Sequence, residues 1–111
     1  MIWVKVLSKQ ESEKDDFITM ANADGKKICL IKQRGEFFAV QNTCPHAGGL
    51  LSGGWCKEGK IVCPIHRWEY NLTTGRGAEG QGDYIDIYPT ELKEDGLYVG
   101  FKQSWIKRLF S

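Results

Sequence analysis

Short apolar runs separated by Gly, Asn and Asp constrain the fold of this chain more than any other feature of its sequence. Turn residues that tolerate positive φ stand at 23–25, 33–35, 58–59 and 94–96. No long stretch of helical periodicity occurs before the C-terminus, so the pattern predicts an all-β domain. The strand-like runs are 2–7, 17–21, 27–32, 36–41, 60–62, 68–71, 85–88 and 97–101.

A glycine-rich segment between residues 41 and 82 interrupts this pattern. Backbone in such a segment must bend sharply or approach a neighbour closely. The same segment holds three of the four cysteines and both histidines of the chain. We therefore predict a binding subdomain at about 42–82, inserted into a strand-rich base, within a single domain that spans 1–111.

The cysteines and histidines of that segment form two compact boxes. Cys44 and His46 form a C-x-H box, and after a gap of sixteen residues Cys63 and His66 form a C-x-x-H box. Chance would place both histidines in such a pattern only about once in a thousand sequences of this composition. Two loops that each offer one Cys and one His can bind a centre that takes two thiolates and two imidazoles.

The two boxes and the residues after them resemble the Rieske iron-sulfur family, and especially the bacterial Rieske-type ferredoxin components of multicomponent oxygenases. In that family Cys-x-His and Cys-Pro-x-His are the ligand loops, and an aromatic residue, Phe or Tyr, Asp or Asn, and Thr-Gly follow the second histidine. The matching positions are Trp68, Tyr70, Asn71, Thr74 and Gly75, with Leu51 seven residues after Cys44.

The resemblance extends over residues 42–76 and implies a fold, a cofactor and a ligand set. The implied fold is a Rieske-like antiparallel β-sandwich or barrel base with an inserted cluster-binding subdomain. The implied cofactor is one [2Fe-2S] cluster. By resemblance, the residues that bind its metal ions are Cys44, His46, Cys63 and His66.

Several positions depart from patterns within the family. Residue 67, which is usually Gly or Ser, is Arg67. Gly49 and Ile65 stand where the high-potential branch has a disulfide, and Trp68 stands where that branch has a hydroxyl donor. Fewer hydrogen bonds to the sulfurs lower the reduction potential, which predicts the lower part of a Rieske range of roughly −150 to +300 mV.

The resemblance implies a soluble one-electron carrier that passes electrons from a reductase to an oxygenase or similar acceptor, and that is not itself an enzyme. A mononuclear iron site with two histidines and a carboxylate is excluded, because both histidines already belong to the boxes. One alternative is a cluster-bearing small subunit of a larger reductase, such as a nitrite reductase. A remote alternative is a binding module stabilised by zinc, since zinc also accepts two cysteines and two histidines.

The two remaining cysteines have simpler interpretations. Cys29 lies in an apolar run and is expected to be a small buried hydrophobe in a core strand. Cys56 lies between the boxes and is expected to be a half-buried thiol on a hairpin arm.

Charge and hydropathy limit the partners. Lys and Arg number 15 and Asp and Glu 14, so a net charge of +1 provides no long-range field for nucleic acid. No apolar run approaches the length of a membrane span, and the N-terminus lacks the pattern of a secretory signal. We therefore expect a cytoplasmic monomer with no nucleic-acid partner and no membrane span.

The C-terminal residues break the strand pattern. Phe101, Trp105 and Leu109 lie at helical spacing, which predicts a short amphipathic helix over 101–111 that packs on the base. The alternative is that its basic residues meet a partner protein or a membrane surface.

Overall fold

The computed structural model describes residues 1–46 and 48–102. Within these ranges the regular structure is almost entirely strand, with one short helix and one 3-10 turn (Leu51–Gly53). The other elements are β1 (Ile2–Ser8), α1 (Lys9–Ser12), β2 (Phe17–Ala23), β3 (Lys26–Gln33), β4 (Glu36–Gln41), β5 (Trp55–Lys57), β6 (Lys60–Val62), β7 (Glu69–Asn71), β8 (Ile87–Tyr88), β9 (Thr90–Lys93) and β10 (Gly96–Phe101).

Two-residue turns connect β2 to β3, β3 to β4, and β5 to β6, at 24–25, 34–35 and 58–59. In each turn the first residue has φ between 49° and 53°, and the second is a glycine with φ between 78° and 92°. Positive φ at both positions gives a turn whose twist matches that of the flanking strands. The structure therefore confirms these three predicted turns.

The strands form three antiparallel sheets with the orders β1-β10-β9, β2-β3-β4-β8 and β5-β6-β7. The two ends of the described chain meet in the first sheet, where Ile2 pairs with Phe101 and Ser8 pairs with Gly96. The first two sheets form the strand-rich base, and the third lies within the glycine-rich segment. The predicted all-β class is confirmed.

Strand β3 contributes to two separate apolar cores because successive side chains of a strand point to opposite faces. Ile28 and Leu30 pack into the first core, which includes residues of β1 and β10. Cys29 and Ile31 pack into the second core, which also contains Cys44 and Cys63 and other residues of the glycine-rich segment. The fully buried centre of β3, Ile28 to Ile31, therefore joins the base to the predicted binding site.

The elements that the sequence reading missed are short. β5 and β9 have three and four residues, too few for a recognisable alternation. Helix α1 has four residues and begins at a capping box, in which the Ser8 hydroxyl accepts from the Glu11 N–H and the Glu11 carboxylate accepts from the Ser8 N–H. The predicted strand over 85–88 shortens to Ile87–Tyr88.

Most of the predicted C-terminal helix lies outside the described residues, which end at 102. Its first residue, Phe101, is instead the buried last residue of β10, opposite Ile2. The prediction that the helix begins at Phe101 is therefore wrong, because a strand partner is available there. In the part of the chain that is described, no helix is long and apolar enough to cross a membrane.

Candidate metal centre

The four predicted ligands lie on two loops. The first ligand loop, residues 42–54, runs from the end of β4 to the start of β5 and carries Cys44 and His46. The second ligand loop, residues 63–68, connects β6 to β7 and carries Cys63 and His66. Each loop therefore supplies one thiol and one imidazole.

Backbone hydrogen bonds shape the first ligand loop into a tight turn around Cys44. The Cys44 N–H donates to the Gly49 carbonyl at 2.7 Å, and the Gly48 N–H donates to the Cys44 carbonyl at 2.9 Å. Buried Asn42 holds the base of the loop, since its side-chain oxygen accepts from the Ser52 N–H at 2.9 Å. These contacts hold the Cys44 backbone in place without the help of a regular sheet.

The second ligand loop closes through a hydrogen bond from the Cys63 N–H to the Trp68 carbonyl at 2.8 Å. His66 and Arg67 both have left-handed backbone, with φ of 62° and 57°. This conformation costs roughly 1–2 kcal/mol at each residue that carries a Cβ. Strain of this kind occurs at functional positions, and the glycine that the family often has at position 67 would adopt the conformation of Arg67 without it.

Burial separates the thiols from the imidazoles. Cys44 and Cys63 are 1% and 0% exposed, and their side chains are in hydrogen-bonding contact. His46 and His66 are exposed, with their ring centroids 5.6 Å apart and their planes inclined by 75°. The loops therefore bring the two predicted thiol ligands together in the interior and the two predicted imidazole ligands together at the surface.

The donor set fits a [2Fe-2S] cluster, in which one iron takes two thiolates and the other two imidazoles. Burial raises the pKa of the Cys63 thiol, a backbone hydrogen bond at Ile65 opposes the rise, and the Cys44 side chain adds to it. Metal binding requires the thiolate, so the metal must compensate for this burial. Among residues 1–46 and 48–102, there is no group of three or more His, Cys, Asp or Glu side chains that could together hold a single metal ion.

Gly49 leaves room beside the inner sulfurs. A Cβ built on Gly49 would lie 3.3 Å from Cys63 Sγ and 2.8 Å from Ile65 Cδ1. The two positions that would carry the disulfide of the high-potential branch therefore face each other here as a glycine and an isoleucine. All four cysteines are in described parts of the chain, and none of them forms a disulfide there.

Trp68 orients one of the outer imidazoles. Its ring stacks on the ring of His46 with a centroid distance of 3.7 Å and an interplanar angle of 11°. Trp68 is partly buried and also packs against the second apolar core. A residue of the second ligand loop therefore supports a predicted ligand of the first.

A hydroxyl group next to Cys44 is a feature that the sequence reading missed. The hydroxyl oxygen of buried Tyr70 lies 3.4 Å from Cys44 Sγ and donates to Asp83 Oδ2 at 3.0 Å. Burial raises the pKa of Tyr70, and its contacts with Cys44 and Asp83 raise it further. The family pattern allows Phe or Tyr at position 70, so it does not predict a hydroxyl contact. The presence of Tyr rather than Phe at this position was the signal that could have indicated it.

Cys29 and Cys56 lie outside this arrangement, as predicted. Cys29 is a fully buried residue of β3, where burial raises the pKa of its thiol to about 12. Cys56 is a partly buried residue of hairpin strand β5, and burial raises its pKa as well. Raised pKa values keep both thiols protonated and unreactive near neutral pH.

The fold is that of a small all-β domain, and its two ligand loops carry the predicted sulfur and nitrogen donors of a metal site. The chain belongs to the Rieske [2Fe-2S] domain family, whose sequence model matches residues 2–89. One [2Fe-2S] cluster is therefore its cofactor. The zinc-stabilised module is not favoured.

Known relatives agree with this membership. The ferredoxin component of the naphthalene 1,2-dioxygenase system of Pseudomonas aeruginosa is 28% identical over 98 residues, which cover 87% of this chain and 93% of the relative. A ferredoxin is an electron carrier, and this chain is an electron-transfer protein of that kind rather than a catalytic component. The reductase-subunit alternative is not favoured.

Solved structures show the same fold. A structure described as the complex of reduced oxygenase and oxidized ferredoxin in carbazole 1,9a-dioxygenase contains a chain that is 28% identical, with a TM-score of 0.76 and coverage of 89% of this chain and 93% of that one. The ferredoxin of carbazole 1,9a-dioxygenase from Nocardioides aromaticivorans has a TM-score of 0.78 at 23% identity, covering 92% and 100% of the two chains.

Proposed function

We propose that this chain carries one electron at a time on a [2Fe-2S] cluster bound by Cys44, His46, Cys63 and His66, and delivers it to an oxygenase. The observation that carries the ligand assignment is the pairing of two buried thiols with two exposed imidazoles on adjacent loops. The cluster, when bound, supplies a reversible one-electron couple. The protein supplies the ligands, their burial and a surface for docking.

The arrangement of the ligands assigns a direction to the electron. Neutral imidazoles stabilise ferrous iron better than thiolates do, so the side of His46 and His66 is the side that accepts the electron. Both imidazoles are exposed, whereas both thiols are buried. The shortest route to an acceptor therefore leaves through the histidine side of the two ligand loops.

The surface around those histidines suits an apolar partner. Leu50 and Ile65 are 54% and 41% exposed on the two ligand loops. Arg67 is exposed and is the one charged residue in the sequence of either loop, 42–54 or 63–68. We infer an acceptor surface that is mainly apolar and places a carboxylate opposite Arg67.

The remaining partners follow from the relatives. We infer that the acceptor is the oxygenase of a multicomponent system and that a reductase is the donor, since similar proteins are ferredoxin components of such systems.

We also infer that the chain acts as a cytoplasmic monomer and that residues 42–82 form the cluster-binding subdomain of a single domain spanning 1–111. Size exclusion of the native complex would separate a free carrier from a permanent subunit.

The first experiment is the low-temperature electron paramagnetic resonance spectrum of the dithionite-reduced protein, with iron and zinc analysis of the same sample. We expect a rhombic signal whose average g value lies below the free-electron value, with about two irons per chain. A silent sample with one zinc per chain would contradict the proposed function.

The ligand assignment has its own test. His46→Ala and His66→Ala should each abolish the normal signal, because one iron would lose half of its protein ligands. Cys29→Ser and Cys56→Ser are matched controls that change cysteines outside the site and should keep the signal. A normal Rieske spectrum in either histidine variant would rule out that histidine as a ligand.

A further inference from the structure

Tyr70 stands between a predicted ligand and a carboxylate. Its hydroxyl oxygen is 3.4 Å from Cys44 Sγ and 3.0 Å from Asp83 Oδ2. A tyrosine hydroxyl has one proton to donate and can accept further hydrogen bonds, whereas a carboxylate only accepts. The contact with Asp83 therefore requires the Tyr70 proton, and that proton is then not directed at the sulfur.

The carboxylate that takes this proton is itself held in place. Gln81 Nε2 donates to Asp83 Oδ1 at 3.4 Å and to the Glu69 carbonyl at 3.1 Å, while Gln81 Oε1 accepts from the Glu69 N–H at 3.0 Å. The Glu69 backbone thus fixes which end of the Gln81 amide faces Asp83. The oxygen of residue 83 on that side must accept.

Gly77 makes the space in which these two side chains meet. A Cβ at Gly77 would lie 2.6 Å from Gln81 Nε2 and 2.8 Å from Asp83 Oδ1. The Gly77 N–H also donates to the Asp83 carbonyl at 2.9 Å. The missing side chain at Gly77 and its backbone hydrogen bond therefore allow the Asp83 carboxylate to lie next to Tyr70.

We propose that Asp83 is a positioning residue that keeps the Tyr70 hydroxyl from donating to the Cys44 sulfur and thereby holds the reduction potential of the cluster low. The proposal rests on the proposed ligation by Cys44. A hydrogen bond donated to a ligand sulfur withdraws electron density from the cluster and favours its reduced state. Asp83 removes that donor without touching the ligand.

The test is the reduction potential of Asp83→Asn. Because Gln81 must donate to residue 83, the asparagine turns its oxygen to Gln81 and its NH2 group to Tyr70. Tyr70 then accepts from residue 83 and donates to Cys44. We expect the equilibrium to shift about tenfold towards the reduced cluster, which is a rise of about 59 mV for a one-electron couple.

Tyr70→Phe gives the sharper result. If Tyr70 already donates its hydroxyl proton to Asp83, this variant should change the equilibrium constant for reduction of the cluster by less than about twofold. The double variant Asp83→Asn with Tyr70→Phe should have the potential of Tyr70→Phe alone. Such a cycle isolates the part of the Asp83 effect that passes through Tyr70.

Glu79→Gln is the matched charge control, since Glu79 lines the same surface pocket of about 470 Å³ as Asp83. It removes one negative charge nearby and should not reproduce the shift of Asp83→Asn. An equal shift in Glu79→Gln, or a full shift in the double variant, would assign the effect to charge alone and overturn the proposal.

Two further results keep the proposal testable and separate from the proposed function. If Asp83→Asn does not fold, Tyr70→Phe alone decides, because a tenfold fall in the reduction equilibrium would show that Tyr70 donates to the sulfur and would overturn the proposal. Electron nuclear double resonance in deuterium oxide should show the same exchangeable couplings in Tyr70→Phe and in the unchanged protein. A Rieske signal with the wrong potential shifts would refute only the role of Asp83.

Discussion

The base of the molecule and the two ligand loops are held by different interactions. Four consecutive residues of β3, Ile28 to Ile31, are fully buried and alternate between two apolar cores. The ligand loops instead expose both histidines, rely on individual backbone hydrogen bonds, and contain non-glycine residues in left-handed backbone. Stability therefore resides mainly in the base, and the loops add the chemistry to it.

The two regions are nevertheless connected through the second core. Cys44 and Cys63 are buried members of that core, together with Cys29 and Ile31 of β3. The thiol side of the site is thus part of the packed interior, and the imidazole side is part of the surface. An electron carrier needs this division, because the ligands must be rigid while the exit route stays open to a partner.

The largest effect that would test this comparison is expected in the base. Leu30→Ala should lower the free energy of unfolding by about 2–5 kcal/mol, because it leaves a cavity at a fully buried position of β3. Urea unfolding followed by circular dichroism would measure it. Without denaturant the variant should keep its cluster signal, since Leu30 packs into the first core and not the second.

Leu92→Ala is the matched control, because Leu92 is a 55% exposed leucine of β9. It should change the free energy of unfolding by less than about 0.5 kcal/mol. Equal losses in the two variants would mean that burial around β3 does not dominate the stability of the base.

A smaller effect is expected in the first ligand loop. Gly49→Ala would place a Cβ 2.8 Å from Ile65 Cδ1 and 3.3 Å from Cys63 Sγ. Ile65 can move, because it is exposed and Cδ1 is the free end of its side chain, but the buried sulfur cannot. We expect a loss of about 1–2 kcal/mol in unfolding free energy and a lower iron content per chain.

Gly53→Ala controls for the change of glycine itself. Its Cβ would meet only Pro64 Cγ, at an ordinary distance of 3.8 Å. Iron content should therefore stay near that of the unchanged protein. If Gly53→Ala loses as much iron as Gly49→Ala, the lower iron content is caused by the change in loop entropy and not by the lack of space beside Cys63.

The smallest effect is expected at Arg67, on the proposed docking surface around His46 and His66. Arg67→Gln should lower the second-order rate of electron transfer to the oxygenase by about two- to fivefold at low salt, as for the loss of one exposed ion pair of about 0.5–1 kcal/mol. The rate should also depend less on ionic strength. Stopped-flow measurements with the cognate oxygenase would show both changes.

Arg34→Gln offers a close control, because Arg34 is also an exposed arginine in left-handed backbone, with φ of 53° against 57° for Arg67. It lies in the turn between β3 and β4, away from either ligand loop. The rate should not change in this variant. Equal falls in both variants would indicate general charge attraction and not a contact at the cluster.

Much of the fold and the outline of the site could be predicted from the sequence. Alternating apolar runs and glycine turns predicted the long strands β1 to β4 and β10, because local backbone preference and burial agree there. Strands β5 and β9 were not predicted, because they form through pairing with neighbouring strands and not through their own composition. Contacts between separate segments, such as Trp68 with His46 and Tyr70 with Asp83, could not be predicted for the same reason.

The cysteine and histidine spacing by itself determined the donor types and the loops that carry them, since a C-x-H and a C-x-x-H box limit which side chains can share a centre. The assignment of these four residues as ligands stays a prediction until the spectra are measured. Only the tertiary structure decided that the thiols are buried and the imidazoles exposed, and that Asp83 reaches Tyr70 across thirteen residues. The physical reason is that burial and the direction of a hydrogen bond depend on neighbours in space, which the order of residues along a chain does not specify.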